Sequence, residues 1–160
     1  MTPEVRSVHQ RPVGTPVLYV GFTLLELMFG IAILAVLAVV AASVFTKAID
    51  KSRVGGAVAD ISIIQAEIQR YQSQHGKLPD VLTTERRDPW DRAYLYTKLE
   101  GVKGHGSARK DHALNPLNRD YDLFSAGKNG VYKPQVSQKD SLDDIIRARN
   151  GAYVGLAEDF

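Results

Sequence analysis

The sequence predicts an α+β protein in which one long N-terminal helix packs along a small antiparallel sheet of about three strands. Three observations predict this class. The stretch from Leu27 to Phe45 is almost wholly apolar and carries no charge. Beyond it, apolar residues recur every three or four positions, as on one face of a helix. After Pro79 the chain changes to short strand-like segments bounded by turn residues.

The composition is that of an ordinary folded chain. Its 160 residues are 44% hydrophobic and 24% charged, which excludes a wholly disordered protein. The net charge of +2 is small and the basic residues are scattered, so a nucleic-acid partner is not expected. There is no cysteine, which excludes disulfides, thiolate metal sites and a cysteine nucleophile. The sequence has no phosphate-binding loop and no recognisable serine triad, and we expect no enzyme.

Residues 1–21 are predicted to be a leader that is removed from the mature protein. They contain three prolines and two arginines and show no helical period. A secretory signal peptide places a short apolar run before its cleavage site. Here the apolar run follows the candidate site and is long enough to stay in a membrane. The leader is therefore something other than an ordinary signal peptide.

Residues 22–45 form the predicted membrane-spanning part of the helix. At about 1.5 Å per residue, the uncharged run extends roughly 30 Å, the thickness of the hydrocarbon core of a bilayer. The alternative is a buried helix of a soluble domain, which would have to be surrounded on all sides by a protein too small to do so. The segment is therefore predicted to anchor the chain in a membrane.

Residues 46–75 continue the predicted helix with one apolar and one charged face. The apolar stripe is formed by Val54, Val58, Ile61, Ile64, Ile68 and Tyr71. This stripe is expected to lie on the rest of the protein. Gly55 and Gly56 favour a bend or local fraying of the helix. The whole helix is predicted to extend from Phe22 to about Ser73, because a glycine and a proline follow shortly afterwards.

Residues 76–160 are predicted to form the globular part. Strands are expected at Ala93–Thr97 and at Tyr121–Ser125, since both segments are rich in aromatic and apolar residues. The dipeptide Asn129–Gly130 is a strong hairpin signal, so a third strand is expected at Val131–Tyr132.

Two further stretches complete the predicted globular part. Residues 101–118 are rich in glycine and basic residues, which predicts an exposed loop. Its Lys103, Arg109 and Lys110 are expected to form a solvated basic face. Residues 143–160 are expected to contain a short helical turn, an Asn-Gly turn and a closing strand.

A single carboxylate follows the candidate cleavage site, in the sequence GFTLLE at 21–26. A charge within a lipid-facing helix costs about 2.5 kcal/mol or more at depth, so Glu26 needs a partner. If the chain is cut after Gly21, the new amine of Phe22 lies one turn away and can pair with Glu26 of its own chain or of a neighbour. Alternatively, Glu26 lies at the membrane surface and reaches water. The spacing alone leaves both possibilities open.

The segment GFTLLE followed by a long apolar run resembles the cleavage and methylation segment of the type IV pilin class. That class comprises type IV pilins and the pseudopilins of type II secretion. The resemblance implies that a prepilin peptidase cuts between Gly21 and Phe22, that Phe22 is N-methylated, and that Glu26 is needed for assembly. It also implies a single-pass inner-membrane protein with its globular part in the periplasm. The distribution of lysine and arginine does not support this orientation, which therefore rests on the resemblance alone.

Two stretches of the globular part resemble the major, or G-type, pseudopilin of type II secretion. They are DPW at 88–90 with YLY at 94–96, and YDLFSAGKNG at 121–130. The resemblance implies a pilin-like fold and a structural subunit that polymerises with its own copies and other pseudopilins on an inner-membrane assembly platform. Such a filament helps to export folded proteins across the outer membrane. Two alternatives stay open: a type IV pilus pilin for adhesion or motility, and a monomeric membrane-anchored enzyme or calcium-binding module.

In G-type pseudopilins the C-terminal region folds round a calcium ion. The resemblance places the candidate ligands at Asn129, Ser141, Asp143 and Asp144. Calcium takes six to eight oxygen ligands, which one loop and one turn can provide. Asparagine stands at 129 where the family has aspartate, so weaker binding is expected. Alternatively, Asp143 and Asp144 cap the short helix predicted at Ile145–Arg149.

Overall fold

The computed structural model describes residues 21–101, 106 and 108–160 and has an α+β arrangement. One helix precedes a four-stranded antiparallel sheet with the strand order β1-β2-β3-β4. The elements, in chain order, are helix α1 (Leu24–His75) and strands β1 (Leu95–Lys98), β2 (Tyr121–Ser125), β3 (Ile145–Ala148) and β4 (Tyr153–Leu156). The predicted class is confirmed in this form, with four strands instead of about three. The chain divides after Ala42 into two compact units.

The described part of the first unit, residues 21–42, contains the beginning of α1. Every one of these residues is exposed, and none after Glu26 is charged. The helix is long and apolar enough to cross a membrane. It can therefore serve as the predicted membrane anchor.

Helix α1 starts and ends slightly later than predicted. It begins at Leu24 and continues to His75. At its end, Gly76 has a φ of +70° and donates its N–H to the carbonyl of Gln72 at 2.8 Å. A glycine in this left-handed conformation is a common way to end a helix, because a Cβ would be strained there.

The predicted fraying at Gly55–Gly56 is wrong, since α1 is unbroken through both residues. A Cβ added at Gly56 would lie 3.4 Å from Cγ of Pro89. Glycine at this position therefore lets the proline of the loop before β1 pack closely against the helix.

One face of the sheet packs on the second half of α1. The buried cluster between them consists of Ala57, Ile61, Ile64, Ile68, Leu78, Tyr94, Tyr121, Leu123 and Ile145. Burying a large aliphatic side chain contributes about 1.5–3 kcal/mol, so this contact is the main attachment of the helix to the sheet. The predicted apolar stripe of the helix is confirmed.

The opposite face of the sheet is covered as well. Successive strand residues point to opposite faces, so Phe124 and Ile146 lie on the other side of the sheet from Leu123 and Ile145. The second buried cluster consists of Leu117, Phe124, Val136, Ile146, Ala148 and Ala157. All residues of β2 and β3 are buried, as expected for strands with both faces covered.

The hairpin predicted at Asn129–Gly130 is wrong. Residues 127–130 form a turn in which the N–H of Gly130 donates to the carbonyl of Ala126 at 3.1 Å. Val131 and Tyr132 belong to no strand. The side-chain oxygen of Asn129 accepts the N–H of Val131 at 2.6 Å, which occupies the donor that a strand partner would use.

The helical turn predicted after Asp144 is also wrong. Ile145–Ala148 form β3, which pairs with both β2 and β4. Asp143 and Asp144 precede a strand, so they do not cap a helix. The predicted closing strand is confirmed as β4, and β2 coincides with its predicted position. The described residues also form three 3-10 turns, at Lys139–Ser141, Arg149–Gly151 and Ala157–Asp159.

The predicted solvated basic face is wrong for Arg109, which is buried with 3% of its surface exposed. Lys110 is half-buried, and Lys103 lies outside the described residues. The segment 108–111 is drawn inwards because Lys110 forms a bridge with Gln135, and the two segments together cover the second face of the sheet.

Candidate functional site

The N-terminus of α1 is capped by reciprocal hydrogen bonds between Thr23 and Glu26. The Thr23 hydroxyl accepts the N–H of Glu26 at 3.1 Å, and a carboxylate oxygen of Glu26 accepts the N–H of Thr23 at 3.5 Å. This arrangement is a capping box, which satisfies N–H groups that have no partner within the helix. The capping box was not predicted above, although the pattern Thr-x-x-Glu is a known signal for a helix start.

The capping box gives Glu26 a partner within its own chain. Its carboxylate lies in the first turn of α1, where the partial positive charge of the helix end favours an anion. Glu26 and Phe22 are both exposed, Phe22 by 85% of its surface. The carboxylate is therefore held at the start of the helix and stays accessible to a positive group.

Gly21 has no role in the packing of the described residues. A Cβ added there would meet no atom within 4 Å, and the backbone is not in the left-handed region that favours glycine. The fold of the described chain therefore does not require glycine at this position. The predicted cleavage site between Gly21 and Phe22 lies in an exposed segment just before the helix.

In the second unit, Asn129 and Asp143 fasten the 127–130 turn to the segment before β3. The backbone N–H of Asn129 donates to one Asp143 carboxylate oxygen at 2.8 Å, and its side-chain amide donates to the other at 2.6 Å. The same amide donates to the carbonyl of Asp140 at 2.8 Å. The turn lies so close to Asp143 that a side chain at position 127 would not fit. A Cβ at Gly127 would lie 2.0 Å from the carbonyl oxygen of Asp143.

Ser141 and Asp144 are fully buried beside this turn. The Ser141 hydroxyl accepts the N–H of Lys133 at 2.7 Å. Arg109 donates from Nη2 to a carboxylate oxygen of Asp144. Burial raises the pKa of Asp144 to about 6, while the adjacent Arg109 guanidinium acts in the opposite direction. The carboxyl is paired with a cation of its own chain.

As arranged, the four residues suggested by the resemblance do not match a calcium ion. Both Asp143 oxygens accept N–H groups of Asn129, and an Asp144 oxygen is bonded to a guanidinium that would repel a divalent cation. Calcium prefers six to eight oxygen ligands with several carboxylates among them. Among the described residues, no group of three or more His, Cys, Asp or Glu could hold a metal.

Two further aspartates of the globular unit have partners of their own. Asp120 receives two hydrogen bonds from Arg147, at 2.8 and 2.6 Å. The buried Asp122 accepts the N–H of Arg109 at 2.7 Å and the amide of Asn118 at 2.9 Å. Each carboxylate therefore joins separate parts of the chain, which accounts for its burial.

Comparison of the chain with models of protein families, with curated proteins and with solved structures found no significant match.

Proposed function

We propose that this chain is a membrane-anchored filament subunit of the type IV pilin class, working as a pseudopilin in type II secretion. One observation carries the proposal: helix α1 begins within the segment GFTLLE, Glu26 caps its first turn, and the residues that follow as far as Phe45 are exposed and uncharged. Gly21 adds support, because the packing of the described residues does not require a glycine there. A peptidase that must bring the backbone into its active site would require one.

The exposed apolar helix must be covered in the working protein. Leu24 is 77% exposed and Val39 74%, and a large apolar side chain gains about 1.5–3 kcal/mol when it leaves water. Lipid covers a single copy, and neighbouring helices cover it in a filament. In lipid, however, helices gain no hydrophobic energy by associating with one another. Assembly therefore needs a second driving force.

Glu26 provides this driving force in the proposed mechanism. Hydrolysis of the Gly21–Phe22 peptide bond leaves a carboxylate on the leader and an ammonium group on Phe22. The ammonium of one subunit pairs with Glu26 of the next, and their attraction is strong where little water is present. A subunit out of register would leave both charges unpaired, which is strongly disfavoured. The capping box uses one oxygen of Glu26 and holds the carboxylate in place for this contact.

The two stretches that resemble G-type pseudopilins meet in the globular unit. Asp88 of the DPW segment accepts the hydroxyl of Ser125 at the end of β2, at 2.5 Å. The other Asp88 oxygen accepts the N–H groups of Trp90 and Arg92 at 3.0 and 2.8 Å. This contact joins the two motifs, and the resemblance of both to G-type pseudopilins favours a pseudopilin over a pilus pilin.

The proposal assigns the anchor to the inner membrane and the globular unit to the periplasm. The partners are further copies of this chain, other pseudopilins, the assembly platform and the prepilin peptidase. Intact-mass measurement of the chain made together with a prepilin peptidase tests the first step. A mature mass that begins at Phe22 with one added methyl group is expected. An unprocessed chain would contradict the assignment to this class.

A second experiment tests the role of Glu26 in assembly. Glu26→Gln keeps the size of the side chain and removes its charge, so processing is expected to continue while filaments and secretion are lost. Glu67→Gln, an exposed glutamate on the same helix, is the matched control and is expected to assemble. Normal filaments in the Glu26→Gln variant would refute the mechanism. Filaments that support adhesion or motility, without any effect on secretion, would favour a type IV pilus pilin.

A further inference from the structure

The buried contact between Arg109 and Asp144 closes the C-terminal half of the globular unit. We propose that the guanidinium of Arg109 takes the place of a bound calcium ion, so that this protein folds and stays closed without a metal. The inference stands on the globular unit alone and does not depend on the filament function proposed above.

The guanidinium of Arg109 lies between one carboxylate and two aromatic rings, while its Nε and Nη1 have no hydrogen-bond partner among the described residues. Nη2 donates to Asp144, whose surface is fully buried, and the backbone N–H donates to Asp122 at 2.7 Å. The guanidinium carbon lies 4.2 Å from the ring centre of Phe124 and 5.7 Å from that of Tyr132. Aromatic faces attract cations at such distances. The charge is thus neutralised by a carboxylate and covered by aromatic rings.

The contact joins segments that are distant in the sequence. Arg109 precedes β2, whereas Asp144 directly precedes β3, 35 residues further along the chain. Beside it, Lys110 donates its N–H to the carbonyl of Pro134 and accepts the N–H of Val136, each at 2.9 Å. The pair closes this loop in the folded state without any ligand, and its attraction offsets part of the entropy cost of loop closure.

A calcium ion at this place would have to displace partners that the chain already provides. It would compete with Arg109 for Asp144 and with Asn129 for Asp143. Removing Arg109 from Asp144 would leave a buried guanidinium without its counter-charge, which is strongly unfavourable. Among the described residues, the second Asp144 oxygen has no hydrogen-bond partner, but a single carboxylate oxygen is far from the ligand number that calcium takes.

The first test uses the full mature chain in detergent micelles, with the fluorescence of Trp90, the single tryptophan, as the probe of melting. Melting curves are recorded in millimolar calcium and in excess EGTA. The same melting temperature is expected in both. A melting temperature that rises in calcium and returns on chelation would overturn the proposal, and this result requires no variant that might fail to fold.

The second test removes first one and then both charges of the pair. Arg109→Met leaves Asp144 buried without a counter-charge and is expected to lower the melting temperature by roughly 10 °C or more. Arg119→Met, at an exposed arginine, is the matched control and should melt like the wild type. Adding Asp144→Leu to Arg109→Met should recover part of the loss, because no unpaired charge remains. An Arg109→Met variant that melts like the wild type would refute the role of the pair.

The third test asks whether Arg109 stands where a metal would be bound. The variant Arg109→Met with Asn129→Asp removes the guanidinium and adds a carboxylate to Asp143 and Asp144. Its melting temperature is expected to rise on addition of calcium and to fall again with EGTA. Lack of any calcium response in this folded variant would show that the guanidinium does not substitute for a metal.

Discussion

Replacing Asp120 by asparagine breaks the best-defined ion pair between the sheet and its surroundings. Arg147 of β3 donates to both oxygens of Asp120, at 2.8 and 2.6 Å. It also donates to the carbonyl of Tyr121 at 2.9 Å and to the side chain of Gln65 on α1 at 3.1 Å. Asp120→Asn keeps the shape of the side chain, removes its charge and puts a donor where the arginine needs an acceptor.

The size of the effect follows from the unequal burial of the pair. The Arg147 side chain is 2% exposed and that of Asp120 33% exposed. Losing one partner of a fully buried pair costs about 3–5 kcal/mol, but water reaches Asp120 and screens part of this interaction. The variant should therefore lose about 2–3 kcal/mol of unfolding free energy. For a unit of this size, the melting temperature should fall by roughly 10 °C.

The pH dependence gives a second check on the same pair. Burial by itself would raise the pKa of Asp120, but the hydrogen bonds from Arg147 and from the backbone of Tyr121 outweigh it and lower the pKa. A carboxyl with a lowered pKa in the folded state stabilises the fold above its unfolded pKa of about 3.9 and loses this contribution as the pH falls. The difference between wild type and Asp120→Asn should thus be largest at neutral pH and shrink below about pH 4.

Asp80→Asn is the matched control, because the Asp80 carboxylate pairs with Lys98 at 2.9 Å but is 75% exposed. It should melt like the wild type at neutral pH. The assay is thermal unfolding of the full mature chain in micelles, followed by circular dichroism. If Asp120→Asn melts within error of Asp80→Asn, or if its deficit grows as the pH falls, the reasoning is refuted.

Three further substitutions test the packing and the helix start. Gly127→Ala should destabilise by about 2 kcal/mol or more, because its Cβ would meet a backbone carbonyl. Gly101→Ala has the same sign of φ and meets no atom of the described residues within 4 Å, so it should cost about 1 kcal/mol in the same melting assay. Ile64→Ala should cost about 2–5 kcal/mol in unfolding experiments and the half-exposed Ile63→Ala under about 1 kcal/mol; equal losses would contradict the observed helix face. Thr23→Val removes the hydroxyl acceptor of the helix cap and should speed hydrogen exchange in the first turn about fivefold, whereas Thr23→Ser should not.

The parts of this protein that follow a local sequence pattern were predictable from the sequence. The uncharged run, the 3–4 spacing of Ile61, Ile64 and Ile68, and the glycine after His75 are local patterns, and α1 follows them closely. Local patterns suffice here because an α-helix satisfies its own backbone hydrogen bonds. The Thr-x-x-Glu pattern of the capping box is equally local, but the expectations for Glu26 concerned only a positive partner or contact with water.

The C-terminal loop shows where local patterns were insufficient. The Asn129–Gly130 pair is a strong hairpin signal. The asparagine side chain instead donates a hydrogen bond to Asp143 and accepts one from the N–H of Val131. The segment from Ile145 becomes a strand because β2 and β4 lie on either side of it. Strand formation depends on partners that are distant in the sequence, and no local pattern specifies them.

The sequence by itself thus determined the long helix, its anchor-like first half and the resemblance that suggests cleavage between Gly21 and Phe22. Only the tertiary structure decided that Arg109, predicted to be solvated, is buried against Asp144. The physical reason is that a helix is encoded by contacts three and four residues apart. The pairing of two buried charges instead depends on the segments before β2 and before β3, which are far apart in the sequence, coming into contact in the folded protein.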